Sequence, residues 1–120
     1  MSATGSGRLR VAVVGVGHFG RHHARILSGL SGVHLEAVVD IDAARAETVA
    51  SETGTSPETD VAALAGRVDA VTLAVPTASH HAVALPLLER GVSVLVEKPM
   101  ARSVAEADEM IAAAQAGGAV

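Results

Sequence analysis

Short apolar runs rich in β-branched residues alternate with helix-length segments along most of this chain of 120 residues. Strands are predicted at residues 9–14, 33–40, 69–75 and 92–97, with a very short additional strand near Thr55. Continuous apolar strands need cover on both faces, which is typical of parallel sheets with helical crossovers. The pattern therefore predicts an α/β fold, a doubly wound parallel sheet of about five strands.

Helices are predicted in the segments between these strands, at about residues 18–27, 42–53, 78–90 and 103–116. Ser56 and Pro57 have the character of an N-cap and a first helical residue, so a brief helix to Ala65 is expected as well. Ser103 and Glu106 form a capping-box pattern at the start of the last helix. Residues 1–8 are expected to be a flexible Gly/Ser leader, and residues 9–120 a single domain.

A glycine-rich turn, GVGHFG at residues 15–20, follows the first predicted strand and opens the first helix. Strand, turn and helix in this order predict a phosphate-binding turn for a dinucleotide. Gly15 suits the tight turn, Gly17 lets the backbone approach a pyrophosphate, and Gly20 lets the helix pack closely on the sheet. The backbone N–H groups of His18, Phe19 and Gly20 would then face the ligand at the helix N-terminus.

Asp40 ends the second predicted strand, twenty residues after Gly20. At that position a carboxylate can accept hydrogen bonds from both hydroxyls of the adenosine ribose. The same negative charge would repel a 2′-phosphate, so NAD is predicted as the cofactor in preference to NADP. The alternative is a structural glycine turn, with Asp40 as an ordinary strand-end cap.

Composition excludes several other classes of function. The net charge of −4 and the single aromatic residue, Phe19, argue against nucleic acid as a partner. The absence of cysteine excludes disulfides and thiolate chemistry. No apolar run has the length of a membrane span and the start is not a signal peptide, so a soluble cytoplasmic protein is expected. The histidine pairs at 22–23 and 80–81 point apart on their helices, and no metal is predicted.

Lys98 is the only lysine of the chain, and it follows the last predicted strand in the sequence Glu97-Lys98-Pro99. Lysine carries a compact ammonium whose protonation can be tuned, whereas arginine is a fixed planar cation. A lysine at the carboxyl end of a buried strand is therefore a candidate for chemistry beside a cofactor. Pro76 and Thr77 lie at the carboxyl end of a central strand, the edge where open parallel sheets bind ligands, although a proline that simply ends the strand is the alternative.

Together, the glycine turn, Asp40, the loop Pro76-Thr77-Ala78-Ser79-His80 and Glu97-Lys98-Pro99 resemble the amino-terminal Rossmann domain of the Gfo/Idh/MocA oxidoreductases. The resemblance implies that Lys98 is the catalytic residue, which reaches the nicotinamide ribose and the substrate hydroxyl. It implies that Glu97 lines the cofactor site, and that the loop of Pro76, Thr77 and His80 passes over the dinucleotide. Lys98-Pro99 is also a candidate for a cis peptide bond.

In that family a sixth strand and a second α/β domain follow, and the second domain supplies the substrate pocket and much of the oligomer interface. The resemblance thus implies an NAD-dependent oxidoreductase that acts on a sugar-like or polyol secondary alcohol, possibly in a nucleotide sugar, and forms a homo-oligomer at full length. A chain of this length is expected to lack the second domain and to be inactive alone. Two alternatives stay open: a non-catalytic NAD-binding module, and a methyltransferase for S-adenosylmethionine, which would leave Glu97-Lys98-Pro99 unexplained.

Overall fold

A computed structural model describes residues 7–120, and its five strands form one parallel sheet in the order β3-β2-β1-β4-β5. The predicted doubly wound parallel sheet is therefore confirmed. The six N-terminal residues of the predicted leader lie outside the described residues. The strands are β1 (Leu9–Val14), β2 (Val33–Val39), β3 (Ser56–Glu58), β4 (Ala70–Leu73) and β5 (Ser93–Val96).

Four α-helices accompany the strands and lie close to their predicted positions. They are α1 (His18–Ser28), α2 (Ala43–Thr53), α3 (Thr77–Glu89) and α4 (Val104–Gly117), with a short 3₁₀ helix at Val61–Leu64. Asp42 caps α2 by accepting a hydrogen bond from the N–H of Arg45. None of the helices within residues 7–120 has both the length and the apolar character needed to cross a bilayer.

The helices cover the sheet on its two faces, as the uniformly apolar strands require. Val13 and Val14 are adjacent in β1 and point to opposite faces, yet both are almost completely buried. Val13 packs in a cluster with α1 and α2, and Val14 packs in a larger cluster with α3 and α4. The chain therefore leaves β1 and β4, which are neighbours in the sheet, toward different faces.

The segment around Ser56 and Pro57 differs from the prediction of a brief helix. Residues 56–58 form the edge strand β3, in which Pro57 is opposite Val38 of β2. Proline has no backbone N–H to donate to a neighbouring strand. It is tolerated on an edge strand, because such a strand has a neighbour on one side only. The short helix begins later, at Val61, and its cap is Asp60, which accepts from the N–H of Ala62 at 2.9 Å.

The predicted capping box at the start of α4 forms in part. Ser103 accepts a hydrogen bond from the N–H of Glu106, as predicted. The Glu106 carboxylate instead bonds the guanidinium and the backbone N–H of Arg102. These hydrogen bonds to Arg102 lower the pKa of Glu106 from its ordinary value.

Helix α1 lies so close to the end of β1 that its third residue has to be glycine. A Cβ added to Gly20 would overlap the carbonyl oxygen of Gly15 and would lie 3.2 Å from the Cβ of Ala74. Both obstacles belong to the backbone or its first side-chain atom, so neither can move aside cheaply. Gly20 therefore sets how near the N-terminus of α1 comes to the sheet edge.

Substitution of Gly20 by alanine is expected to lower the free energy of unfolding by at least about 2 kcal/mol, because the added methyl group overlaps backbone. Urea unfolding followed by circular dichroism measures the change. Gly17→Ala is the matched control, since nothing lies within 4 Å of a Cβ at Gly17, and we expect it to stay within about 1 kcal/mol of the parent chain. Equal stabilities for Gly20→Ala and Gly17→Ala would contradict the close-packing role of Gly20.

Candidate functional site

The glycine turn after β1 packs directly against the loop after β4. Gly15 has a φ of +88°, which favours glycine, and its N–H donates to the carbonyl oxygen of Val39 at 2.7 Å. A Cβ on Gly15 would lie 2.9 Å from the backbone of Ala74. These two loops leave neighbouring strands toward opposite faces, and such a switch point is where open parallel sheets form a ligand crevice.

The N-terminus of α1 opens onto this crevice with its backbone donors available. Gly17 is the N-cap, and the first N–H bonded within the helix is that of Arg21, which donates to Gly17 at 2.9 Å. The N–H groups of the three intervening residues therefore have no partner inside α1. The space beside Gly17 is open, so a ligand can approach the backbone closely there.

Asp40 follows β2 immediately and is only 7% exposed. One of its carboxylate oxygens accepts the N–H of Val16 at 3.0 Å, and the other accepts the N–H of Asp42 at 2.9 Å. The guanidinium of Arg45 lies 3.6 Å from the first oxygen. Each carboxylate oxygen has a further lone pair, so Asp40 ties the glycine turn to the loop after β2 and can still accept from a ligand.

The loop after β4 carries Pro76, which is exposed, and Thr77, which is half-buried and begins α3. His80 lies one turn further along α3 and is 1% exposed. Its Nε2 is 3.0 Å from the carbonyl oxygen of Val75, and its Nδ1 is 3.1 Å from that of Pro99. The buried ring of His80 therefore contacts the backbone of this loop, and the implied place of His80 in a loop over the dinucleotide stays a prediction.

The turn after β5 presents Glu97 and Lys98 on the surface of the same sheet edge. The Lys98–Pro99 bond is cis, which confirms the candidate named from the sequence. Glu97 lies 3.7 Å from Nε2 of His23 in α1, a contact that sequence reasoning missed. Within residues 7–120 the Lys98 ammonium has no hydrogen bond or ion pair, so it is open to a ligand.

Two further contacts involve histidines of α3 and α1. His81 is 2.6 Å from Glu109 between α3 and α4, and His22 stacks edge-on with His18 at a ring distance of 5.0 Å. No group of three histidine or carboxylate side chains suited to a metal ion occurs among the described residues. Phe19, next to His18, is 68% exposed.

Two residues near Asp40 also escaped sequence reasoning. Ile41 is 94% exposed, although an isoleucine at the end of a buried strand is ordinarily covered. Arg45 lies in α2, and its guanidinium faces the Asp40 carboxylate. Its position in the first turn of α2, five residues after Asp40, is the signal that could have identified it.

The residues at this edge fit a dinucleotide. Open space beside Gly17 and the donors of α1 suit a pyrophosphate. The carboxylate of Asp40 lies at the end of the adjacent strand, and the free ammonium of Lys98 lies beyond β4, toward the other side of the sheet. Asp40, the glycine turn and Lys98 thus follow β2, β1 and β5, which lie in this order across the sheet.

Comparison with known proteins identifies the family. The model of the oxidoreductase family with an NAD-binding Rossmann fold, Gfo/Idh/MocA, matches residues 9–120. A UDP-N-acetylglucosamine 3-dehydrogenase of Acidithiobacillus ferrooxidans is 42% identical over 107 residues, which are 89% of this chain and 34% of that protein. Its solved structure superposes with a TM-score of 0.89 at 40% identity, covering 94% of this chain and 37% of that one.

An inositol 2-dehydrogenase of Corynebacterium glutamicum is 44% identical over 96 residues, covering 77% of this chain and 28% of that protein. The structure of GenD2 from gentamicin A biosynthesis in complex with NAD has a TM-score of 0.86 at 39% identity, covering 94% of this chain and 33% of that one. The chain thus spans about a third of the length of the relatives it matches. By sequence and by fold, it belongs to the Gfo/Idh/MocA family of oxidoreductases, and residues 9–120 are its NAD-binding Rossmann domain.

Proposed function

We propose that this domain binds NAD along the carboxyl edge of its sheet and serves a dehydrogenase that oxidises a secondary alcohol of a sugar or polyol, or reduces the corresponding ketone. The nicotinamide, when bound, supplies the hydride acceptor or donor. The observation that carries the proposal is the exposed ammonium of Lys98, without a partner in residues 7–120, at the same sheet edge as the glycine turn and Asp40. A module that only binds NAD has no use for such a group.

The adenosine half of the cofactor would lie over β1 and β2. Backbone N–H groups at the start of α1 would bind the pyrophosphate, and Gly17 would leave room for it. Asp40 would accept the ribose hydroxyls with the lone pairs that Val16 and Asp42 leave over. The exposed side chain of Ile41 would pack against the adenine.

The nicotinamide half would lie toward β4 and β5. Pro76 and Thr77 would flank it, and Glu97 would line the site while held by His23. Alcohol oxidation removes a hydride from carbon and a proton from the hydroxyl group. Lys98 would hold that hydroxyl beside the nicotinamide and assist the transfer of its proton.

The relatives suggest the substrate class. One is a dehydrogenase of UDP-N-acetylglucosamine and another of inositol, and both substrates are six-membered rings that carry secondary hydroxyl groups. We therefore infer a sugar or polyol, with a nucleotide sugar as one form of it. The pocket for this substrate would be completed by residues beyond the matched region, in a homo-oligomeric cytoplasmic enzyme.

Gly17→Ala is expected to weaken NAD binding at least about tenfold, or 1.4 kcal/mol, because the methyl group occupies the space through which a pyrophosphate approaches the backbone. Isothermal titration calorimetry measures the affinity. Gly32→Ala is the matched control: its added Cβ also meets nothing within 4 Å, but it precedes β2 at the opposite edge. Unchanged affinity in Gly17→Ala would place the dinucleotide elsewhere.

The parent chain is expected to bind NAD at least about tenfold more tightly than NADP, because the Asp40 carboxylate repels a 2′-phosphate. Asp40→Asn removes the charge and keeps the side-chain size, so it should reduce the preference for NAD over NADP. Arg45→Gln removes the nearby cation, so it should increase that preference. Competition between the two cofactors, followed by the fluorescence of NADH, gives both ratios, and a parent chain that prefers NADP would refute the assignment of Asp40.

Lys98 is expected to sense the nicotinamide half of the cofactor alone. In a chain grown with isotope-labelled lysine, Lys98 gives the only lysine signals. NAD should shift them, whereas ADP, which lacks the nicotinamide riboside, should leave them in place. Equal shifts with both ligands would contradict the proposed direction of binding. In an enzyme that includes the substrate domain, Lys98→Ala should abolish turnover and leave NAD affinity nearly unchanged.

A further inference from the structure

His80 is a buried histidine whose hydrogen-bond partners are all backbone carbonyl oxygens. Nε2 is 3.0 Å from the oxygen of Val75, while Nδ1 is 3.1 Å from that of Pro99 and 3.2 Å from that of Met100. The ring is 1% exposed, so water does not compete for these contacts. No charged side chain is among these partners.

The partners of His80 belong to two different loops of the sheet edge. Val75 lies in the loop after β4, and Pro99 and Met100 lie in the turn after β5, directly beyond Lys98. The strands β4 and β5 are neighbours, but their own ladder ends at the pair Leu73 and Val96. Beyond that pair, the ring of His80 lies between the two loops, within 3.2 Å of carbonyl oxygens in both.

The two sides of the imidazole make this bridge chemically specific. Carbonyl oxygens only accept, so each contact is a hydrogen bond when the ring nitrogen that faces it carries a hydrogen. An amide side chain can reproduce one side but not both: asparagine places its nitrogen near Nδ1 and glutamine near Nε2. The contact with each loop can therefore be removed separately by substitution.

A second contact holds the turn from the other face of the sheet, and it is weaker. His23 in α1 lies 3.7 Å from Glu97, whose side chain is 52% exposed. Partly exposed pairs of this kind contribute little, because solvent screens them. The buried bonds of His80 are therefore the stronger restraint on the residues around Lys98.

We propose that His80 is a positioning residue for Lys98. Through Pro99 and Met100 it fixes the turn that carries the lysine, and through Val75 it sets the distance of that turn from the loop after β4. A shift of the turn would move the ammonium away from the nicotinamide end without touching the sites of Gly17 or Asp40. The inference rests on the proposed function only in assigning Lys98 to that end of the cofactor.

The test compares His80→Asn with His80→Gln, and it reads the amide and side-chain signals of isotope-labelled Lys98. His80→Asn keeps the donor toward the turn, so Lys98 signals close to those of the parent are expected, together with their shift on addition of NAD. His80→Gln keeps only the donor toward Val75, so displaced Lys98 signals and loss of the NAD-induced shift are expected. NAD affinity, measured by calorimetry, should stay near the parent value in both variants.

Two controls separate positioning from general destabilisation. Val49→Ala creates a cavity in the cluster beneath α1 and α2, on the other face, and should lower the melting temperature with the Lys98 signals unmoved. His81→Ala alters the adjacent residue, whose partner is Glu109, and should also leave them unmoved. The proposal is overturned if His80→Gln leaves Lys98 unmoved or if His80→Asn displaces it equally.

The signals of Lys98 are first recorded without cofactor, so the outcome does not depend on NAD binding. Displacement by His80→Gln in a chain that fails to bind NAD would support the bridge and refute the proposed function. Normal NAD binding with unmoved Lys98 signals in all variants would support the proposed function and refute the positioning role of His80. The two proposals can therefore fail separately.

Discussion

The close approach of the first helix to the backbone of the glycine turn is the constraint on which the rest of the site depends. Gly20 rests against the carbonyl of Gly15, and Gly15 in turn rests against Ala74, so three backbone segments meet where side chains would normally separate them. This contact aims the N-terminus of α1 at the crevice between β1 and β4. Van der Waals overlap is steep, which makes the arrangement intolerant of even one methyl group.

Much of the fold follows from local pattern. β1 and the start of α2 agree with prediction because a buried strand and an Asp cap each leave a signal in adjacent residues. Ser56 and Pro57 fit a helix start equally well by local pattern, and only the pairing of Pro57 with Val38 decides for a strand. Local sequence does not contain that pairing, because its partner lies in β2 on the other side of α2.

The site shows the same division. The meeting of its residues at one edge of the sheet was predictable, because all carboxyl ends of a parallel sheet lie at the same edge. The direction of individual side chains was not. The ring of His80 faces the carbonyl oxygen of Pro99, nineteen residues later in the chain. Glu97 lies near His23, which is far earlier in the chain. Such contacts depend on how far each loop extends beyond the end of its strand. Tertiary packing determines that distance, and no local sequence motif encodes it.

Asp40 has a consequence for the thermodynamics of recognition. Its oxygens are held by the N–H groups of Val16 and Asp42 before any ligand arrives, and the side chain is 7% exposed. The rotamer entropy of this acceptor is therefore lost during folding rather than during binding. Preorganisation of this kind lowers the entropic cost of binding any group that donates to Asp40. The exposed side chain of Lys98, which has no hydrogen bond or ion pair within residues 7–120, would instead lose its rotamer entropy only when a ligand binds.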